Sequence, residues 1–434
     1  MSDKESSKEK ILELHKFYQG KIQVLPKCRI RDYQDFAIWY TPGVAEPCKR
    51  IRELSELVYE YTGKGNTIAV VSDGTRVLGL GDIGPEAALP VMEGKALLFK
   101  YLGGVDAIPL CLNTKDADEF IKTVKILEPT FGGINLEDIE QPKCFYILEK
   151  LRKECSIPVW HDDQQGTATV ILAGLINGLK IVKKKINQIK VAMLGAGAGN
   201  IATARLLFAS RVNPENVVMV DSKGTLHRGR TELENTHPEK WQICLKTNKK
   251  QVKGNLPEAM KDADILIALS QPGPGIIKKE WIKEMANDPI VFACANPVPE
   301  IYPQEAKEGG ARIVATGRSD FPNQLNNSLG FPGIFRGVLD VQAKTITDEM
   351  CLAAVDALAS YAEKKGLDEE QIIPTMDDWE VYVQEAVAVG KKAIEQGLAR
   401  VKLSEKELYQ KAFKKIKEAR EITKLLMKEK YIRG

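Results

Sequence analysis

Histidine is scarce in this 434-residue chain, and its four copies stand at no ligand spacing that suggests zinc. The eight cysteines are scattered without a CxxC pair, so neither a disulfide framework nor a zinc ribbon is indicated. Free thiols imply a reducing compartment. No hydrophobic run reaches the roughly 20 residues that span a bilayer, and the charged start MSDKESSKEK lacks the apolar core of a signal peptide. A cytoplasmic protein with no membrane association is expected. Gly 34 and Pro 21 are ordinary, which excludes collagen-like and proline-rich architectures. Excess charge is also lacking: 62 Lys+Arg oppose 59 Asp+Glu. The small surplus gathers in residues 401–434, which hold 11 basic and 5 acidic side chains. Ile, Leu and Phe recur there at helical spacing, so we expect a solvated amphipathic helix and no nucleic-acid partner.

What is present describes a globular protein. Hydrophobic residues make up 44% and charged residues 28%, and the length accommodates two or three domains. Residues 1–165 mix short helices and strands. A leading helix is expected at 11–19, another starting at Thr41–Pro42, and strands at 67–71, 96–99 and 107–110. Glycines and Pro85 make 81–85 a loop. Residues 166–346 alternate strand, glycine turn and helix. Strands are expected at 191–194, 217–220, 265–268, 290–293 and 313–315, with helices at 167–179 and 201–209 and helical material at 278–286. This is the pattern of a doubly wound, mostly parallel α/β sheet. Residues 347–434 form a helical extension, with helices at 349–361, 378–396 and 404–428. Ser404 serves as an N-cap with Glu407 three residues on.

The string Gly195–Ala196–Gly197–Ala198–Gly199–Asn200 follows a hydrophobic strand and opens a helix. Gly195 permits a tight turn, Gly197 lets backbone approach a pyrophosphate, and the helix start offers free amides. Asn200 stands where a third glycine is expected. A second strand ends in Asp221, whose carboxylate suits the ribose hydroxyls of NAD, yet Ser222, Lys223, Arg228 and Arg230 follow and suit a 2′-phosphate. The choice between NAD and NADP stays open.

Two acidic pairs, Glu137–Asp138 and Asp162–Asp163, occupy turn or strand-end settings. Carboxylates from two distant segments suit Mg²⁺ or Mn²⁺, although a solvated acidic loop is the commoner origin of such pairs. Lys95 is either a snorkelling side chain or, with its pKa lowered by burial or neighbouring positive charge, a base. Tyr40 is either a core ring or an acid, and Arg76 offers a fork for a carboxylate.

Several motifs in order resemble the malic enzyme family in its short form. They are Tyr40–Thr41–Pro42–Gly43–Val44, the 76–82 segment RVLGLGD, Leu136–Glu137–Asp138–Ile139, the 162–168 segment DDQQGTA, Asn296–Pro297–Val298–Pro299–Glu300, Thr316–Gly317–Arg318–Ser319–Asp320 and the 326–333 segment NNSLGFPG. The resemblance departs at Trp160–His161 and at Gly199–Asn200. It implies oxidative decarboxylation of L-malate to pyruvate and CO2 with NAD or NADP and Mg²⁺ or Mn²⁺, in a homodimer or larger even-numbered oligomer. It assigns Tyr40 as general acid, Lys95 as general base and Asp162 as the carboxylate that orients the lysine. Glu137, Asp138 and Asp163 become metal ligands. Arg76, Asn296, Asn326 and Asn327 become substrate contacts, while Thr167 and Asn296 join the 195–200 loop and residues 221–223 on the cofactor side. A malolactic enzyme and an oxaloacetate decarboxylase share this scaffold. A metabolite sensor would need no acid–base pair.

Overall fold

A computed structural model describes residues 3–433. Its first sheet contains β1 (Thr67–Ser72), β2 (Asp106–Cys111), β3 (Gly133–Leu136) and β4 (Val159–His161), in the order β2-β1-β3-β4. All pairs are parallel. The apolar runs of β1, β3 and β4 are buried, as a sheet covered on both faces requires. The register aligns Ser72 with Cys111, Val71 with Leu136, and Leu136 with His161, so the carboxyl ends share one edge.

The second sheet contains β5 (Val191–Leu194), β6 (Val217–Asp221), β7 (Gly224–Thr225), β8 (Ile265–Ala268), β9 (Ile290–Ala293) and β10 (Ile313–Thr316). Its order is β10-β9-β8-β5-β6-β7, and only β7 runs antiparallel. The chain leaves β5 in one direction for β6 and returns on the other side for β8. A crevice therefore opens at the carboxyl ends of β5 and β8, where doubly wound sheets bind ligands.

Three expectations are corrected. Residues 96–99 are not a strand but the middle of the Pro85–Gly103 helix. Ala88, Met92, Ala96, Phe99 and Leu102 recur every three or four positions along its buried face, a period that a four-residue window cannot reveal. Pro85 opens that helix at its first turn, where a missing N–H costs nothing, so the loop ends at Gly84. Thr41–Pro42 starts no helix. The Asp35–Trp39 helix stops before it and the next runs over Ala45–Glu53, while Gly43 N–H folds back onto the Ala37 carbonyl. A Cβ on Gly43 would lie 2.5 Å from the Ile38 carbonyl oxygen, so glycine fits this tight turn.

The helix expected at 167–179 begins earlier, as Asp162–Ile181, directly after β4. The expected domain boundary at 165/166 thus falls inside one helix. At the far end, Ser404 and Glu407 form the reciprocal cap of the Glu405–Lys428 helix. The Phe331–Asp340 helix is buried throughout and packs against the Pro85–Gly103 and Glu380–Glu395 helices, with Phe331 and Phe335 against Phe99. Among the described residues, no helix is long and apolar enough to cross a membrane.

Candidate active site

The two sheets face one another across a cavity of about 400 Å³. From the first half, its walls carry Arg76, Lys95, Glu137 and Asp138. The bridging helix contributes Asp163 and Thr167, and the second half contributes Gly197, Ala198, Gly199, Asn296, Asn326 and Asn327.

Lys95 projects into the cavity from the buried face of the Pro85–Gly103 helix. Its ammonium donates to Asp162 Oδ2 at 2.6 Å, lies 3.0 Å from Glu137 Oε1 and sits over the Phe331 ring at 4.4 Å. Burial alone would lower the lysine's pKa, but Asp162 and Glu137 outweigh it and hold the pKa above its ordinary value. The expectation of a depressed lysine is therefore reversed in this arrangement, because carboxylates surround the ammonium. Asp162 is fully buried and held from behind by Trp160 Nε1 at 3.1 Å. Gly166, one turn on, makes room for it: a Cβ there would overlap Asp162 Oδ1.

Glu137 follows β3, and Asp163 occupies the first turn of the helix after β4, where the helix dipole favours an anion. With Asp138 they bring one oxygen each to within 4.8 Å of one another. Asp138 holds a left-handed φ of 54°, and its N–H donates to Asp163 Oδ2 at 2.9 Å. Burial and then Asp163 raise the Asp138 carboxyl to about 8. Burial raises Glu137 well above the carboxylate range despite Lys95. Asp138 Oδ2 is buried without a partner. Unpaired oxygen donors and mutually repelling acids fit a hard divalent cation such as Mg²⁺ or Mn²⁺. His161 is fully buried and driven toward neutrality by burial, with Nδ1 3.9 Å from Asp163.

Across the cavity, Gly195 turns at φ 95°, with a would-be Cβ overlapping the Leu269 carbonyl. Open space surrounds Gly197 at the start of the Ala198–Ala209 helix, where amides are free for phosphate. Asn200 ties the loop together, donating to the Leu194 and Gly195 carbonyls at 2.7 and 2.8 Å. Gly199 takes the close-packing position, since a Cβ would press on Leu269 and on the bridging helix at 3.1–3.4 Å. The missing third glycine is thus replaced by an amide staple and a shifted glycine.

Some expected residues lie apart. Gly195, Ala196, Asn200 and residues 221–223 support or flank the loop without lining the cavity. Asp221 is gripped by Arg230 through two 3.1 Å hydrogen bonds, with Lys240 at 3.8 Å. Burial would raise its pKa, but Arg230 brings the net shift below the ordinary value. Tyr40 is 72% exposed and does not line the cavity. Trp160, Gly166, Phe331 and Glu300 carried no assigned role in the sequence. Glu300, buried, accepts from Ser270 and the Ala295 amide and so ties the β8 and β9 loops together. Only the Asn296–Glu300 motif hinted at it.

A glycine loop at the switch point of a parallel sheet, opening onto a lysine among acids, defines a dinucleotide-dependent oxidoreductase. Residues 19–152 match the malic enzyme N-terminal domain and residues 164–394 the malic enzyme NAD binding domain, so the chain belongs to the malic enzyme family. It is 52% identical to a bifunctional malic/malolactic enzyme of Bacillus subtilis, over 94% of this chain and 98% of that one. It is also 52% identical to an NAD-dependent malic enzyme of Geobacillus stearothermophilus, over 88% of this chain and 78% of that one. Among solved structures, Entamoeba histolytica malic enzyme superposes with a TM-score of 0.96 at 52% identity, covering 98% of this chain and 90% of that one.

Proposed function

We propose that this chain oxidatively decarboxylates L-malate to pyruvate and CO2, passing hydride to NAD or NADP. The observation that carries the reading is Lys95, held between Asp162 and Glu137 in the same cavity as the Gly197 helix start. Glu137, Asp138 and Asp163 would hold Mg²⁺ or Mn²⁺, which when bound supplies Lewis acidity to the C2 oxygen and relieves the negative charge facing Lys95. With that charge offset, the Lys95 pKa would fall, and the neutral amine would accept the C2 hydroxyl proton as a bound nicotinamide takes hydride from C2. Asp162, fixed by Trp160 and Gly166, keeps Nζ aimed at that oxygen. Arg76, Asn326 and Asn327 orient the substrate carboxylates, while Val91, Ile139 and Leu325 exclude water. Loss of CO2 leaves an enolate that is protonated at C3, the role the family resemblance gives Tyr40. Gly197 to Gly199, Thr167 and Asn296 hold the dinucleotide, with Asp221 and Arg230 toward its adenosine end.

The same reading expects a cytoplasmic homodimer or larger even-numbered homo-oligomer. It divides the chain into a catalytic part at 1–165, a nucleotide part at 166–346 and a helical part at 347–434. The test is malate with Mn²⁺ and either NAD or NADP. Equimolar pyruvate and reduced dinucleotide, lost on chelation, are expected. Absence of malate-dependent reduction with both cofactors would overturn the proposal. A malolactic activity is the second reading, favoured by the name of the Bacillus subtilis relative. Lactate without net reduced cofactor would reveal it.

A further inference from the structure

A second cavity, of about 110 Å³, opens on another face of the bridging helix. Four helices wall it: Lys143–Glu154, Asp162–Ile181, Ala198–Ala209 and Asp348–Lys365. Successive helix positions point about 100° apart, so one rod can serve two cavities. Asp163 and Thr167 line the active site, while Gln164, Gln165 and Ala168 line the second cavity. The Ala198–Ala209 helix is divided in the same way, with Gly199 at the first and Ala202, Arg205 and Leu206 at the second. Among the described residues, none lines both.

The walls of this cavity are charged but unpaired. Arg152 donates to the Ile346 carbonyl, and Arg205 lies over the Phe145 ring at 5.8 Å, so neither guanidinium is matched by an acid among the described residues. Glu149 and Asp348 are exposed at the rim and pair with no base there. Burial pushes the Cys351 thiol up to about 12, so it stays neutral and adds no charge. Deeper, the Nε2 atoms of Gln164 and Gln165 are buried without a hydrogen-bond partner. Gln165 uses its Oε1 to accept from the His161 N–H at 3.1 Å, so its remaining capacity is that of a donor. Gln164 is only 2% exposed, and a buried donor left unpaired is destabilising until something accepts from it.

We infer that this cavity binds a small α-amino acid as its zwitterion. The carboxylate takes the guanidinium forks of Arg152 and Arg205 and the amide donors of the two glutamines. The ammonium meets Glu149 and Asp348, and a short side chain rests on Leu148 and Leu206. A plain anion would face the two acids, and a plain cation would face the two guanidiniums. Only a ligand with both signs complements walls that carry both. Size narrows the class further: the space equals that of about four liquid waters, which suits a molecule near alanine and excludes a nucleotide. The inference stands apart from malate chemistry, since none of these residues handles that substrate.

The probe is 3-fluoroalanine, titrated into the full chain and followed by ¹⁹F NMR. Saturable line broadening is expected, unchanged by Arg76→Gln in the active cavity and by added malate with Mg²⁺. Arg205→Gln should weaken binding about tenfold or more, through loss of a charged hydrogen-bond donor. Ala202→Met, which fills the space and keeps its charges, should do the same. Arg205 is exposed and Ala202 buried, so a variant that misfolds by circular dichroism leaves the other readable. 3-Fluoropropionate keeps the carboxylate and lacks the ammonium, and it should bind about tenfold more weakly. Replacing both acids, Glu149→Gln with Asp348→Asn, should close that gap. Absence of saturable broadening would overturn the inference. Displacement by malate, or loss in Arg76→Gln, would overturn it by assigning the probe to the active cavity. Equal binding of the two probes to wild type would overturn the zwitterion.

Discussion

The carboxyl ends of the two parallel sheets solve opposite electrostatic problems. Beside β3 and β4, Glu137, Asp138, Asp162 and Asp163 crowd a single ammonium, Lys95, and the surplus of acid is buried. Beside β6, Asp221 meets Arg230 and Lys240, and Arg230 also reaches Glu232, so acids and bases are matched. The first site is short of positive charge, a lack that the proposed Mg²⁺ or Mn²⁺ would make good. The second is already neutral, so a ligand there uses or displaces an existing ion pair. Burial costs most where charge is unmatched, which is why the pKa shifts at Glu137 and Asp138 point upward while Asp221 points downward.

That contrast can be broken from either side. Lys95→Ala removes the ammonium that pairs with Glu137 and Asp162, and kcat should fall by roughly 10²–10⁴ with an unchanged circular dichroism spectrum. Near-normal turnover would take Lys95 out of the chemistry. Gly166→Ala should displace the Asp162 carboxylate and lower kcat by up to about 10²-fold, with dinucleotide affinity preserved in a fluorescence titration. Ordinary activity in that variant would show that Asp162 tolerates movement.

Mn²⁺ should raise the melting temperature of wild type but not of Asp163→Asn, and at a hundredfold excess over Kd the stabilisation is about 2.7 kcal/mol. The sign with pH follows from Asp138. Its folded pKa of about 8 exceeds the unfolded value of roughly 3.9, so the metal-free fold retains a proton and loses stability as pH rises between them. A cation substitutes for that proton, so the Mn²⁺ shift should be larger at pH 8 than at pH 6. Equal shifts at the two pH values would break the comparison. The smallest effect belongs to the matched site. Arg230→Gln should lower kcat/KM for NADP about tenfold, ~1.4 kcal/mol, and leave NAD nearly unaffected. Equal losses with both cofactors would show that Arg230 only steadies Asp221.

Short apolar runs were legible wherever burial on both faces made them continuous, as in β1, β5, β8 and β9. The Gly195–Asn200 turn was legible because its backbone demands are local. Residues 96–99 misled because four apolar residues fit either period, and the helix was declared only over the whole Pro85–Gly103 stretch. The acidic cluster was legible as two pairs, but not that Asp162 would turn to Lys95 while Asp163 turned to Asp138, since adjacent helix positions point about 100° apart. The position of Tyr40 was hidden for a different reason. Its motif declares what the residue is, whereas its place depends on where Lys27 and Thr67 are anchored, some distance along the chain.

The helix shared by both halves acts as a ruler. Asp163 and Ile171 both touch the cavity, eight residues or about 12 Å apart along a single rod. One inserted residue between them would advance everything beyond it by 1.5 Å and rotate it by about 100°, turning Thr167, Val170 and Ile171 away from the opening. In this stretch the number of residues is more tightly constrained than their identity: side chains can be exchanged, but the count cannot change.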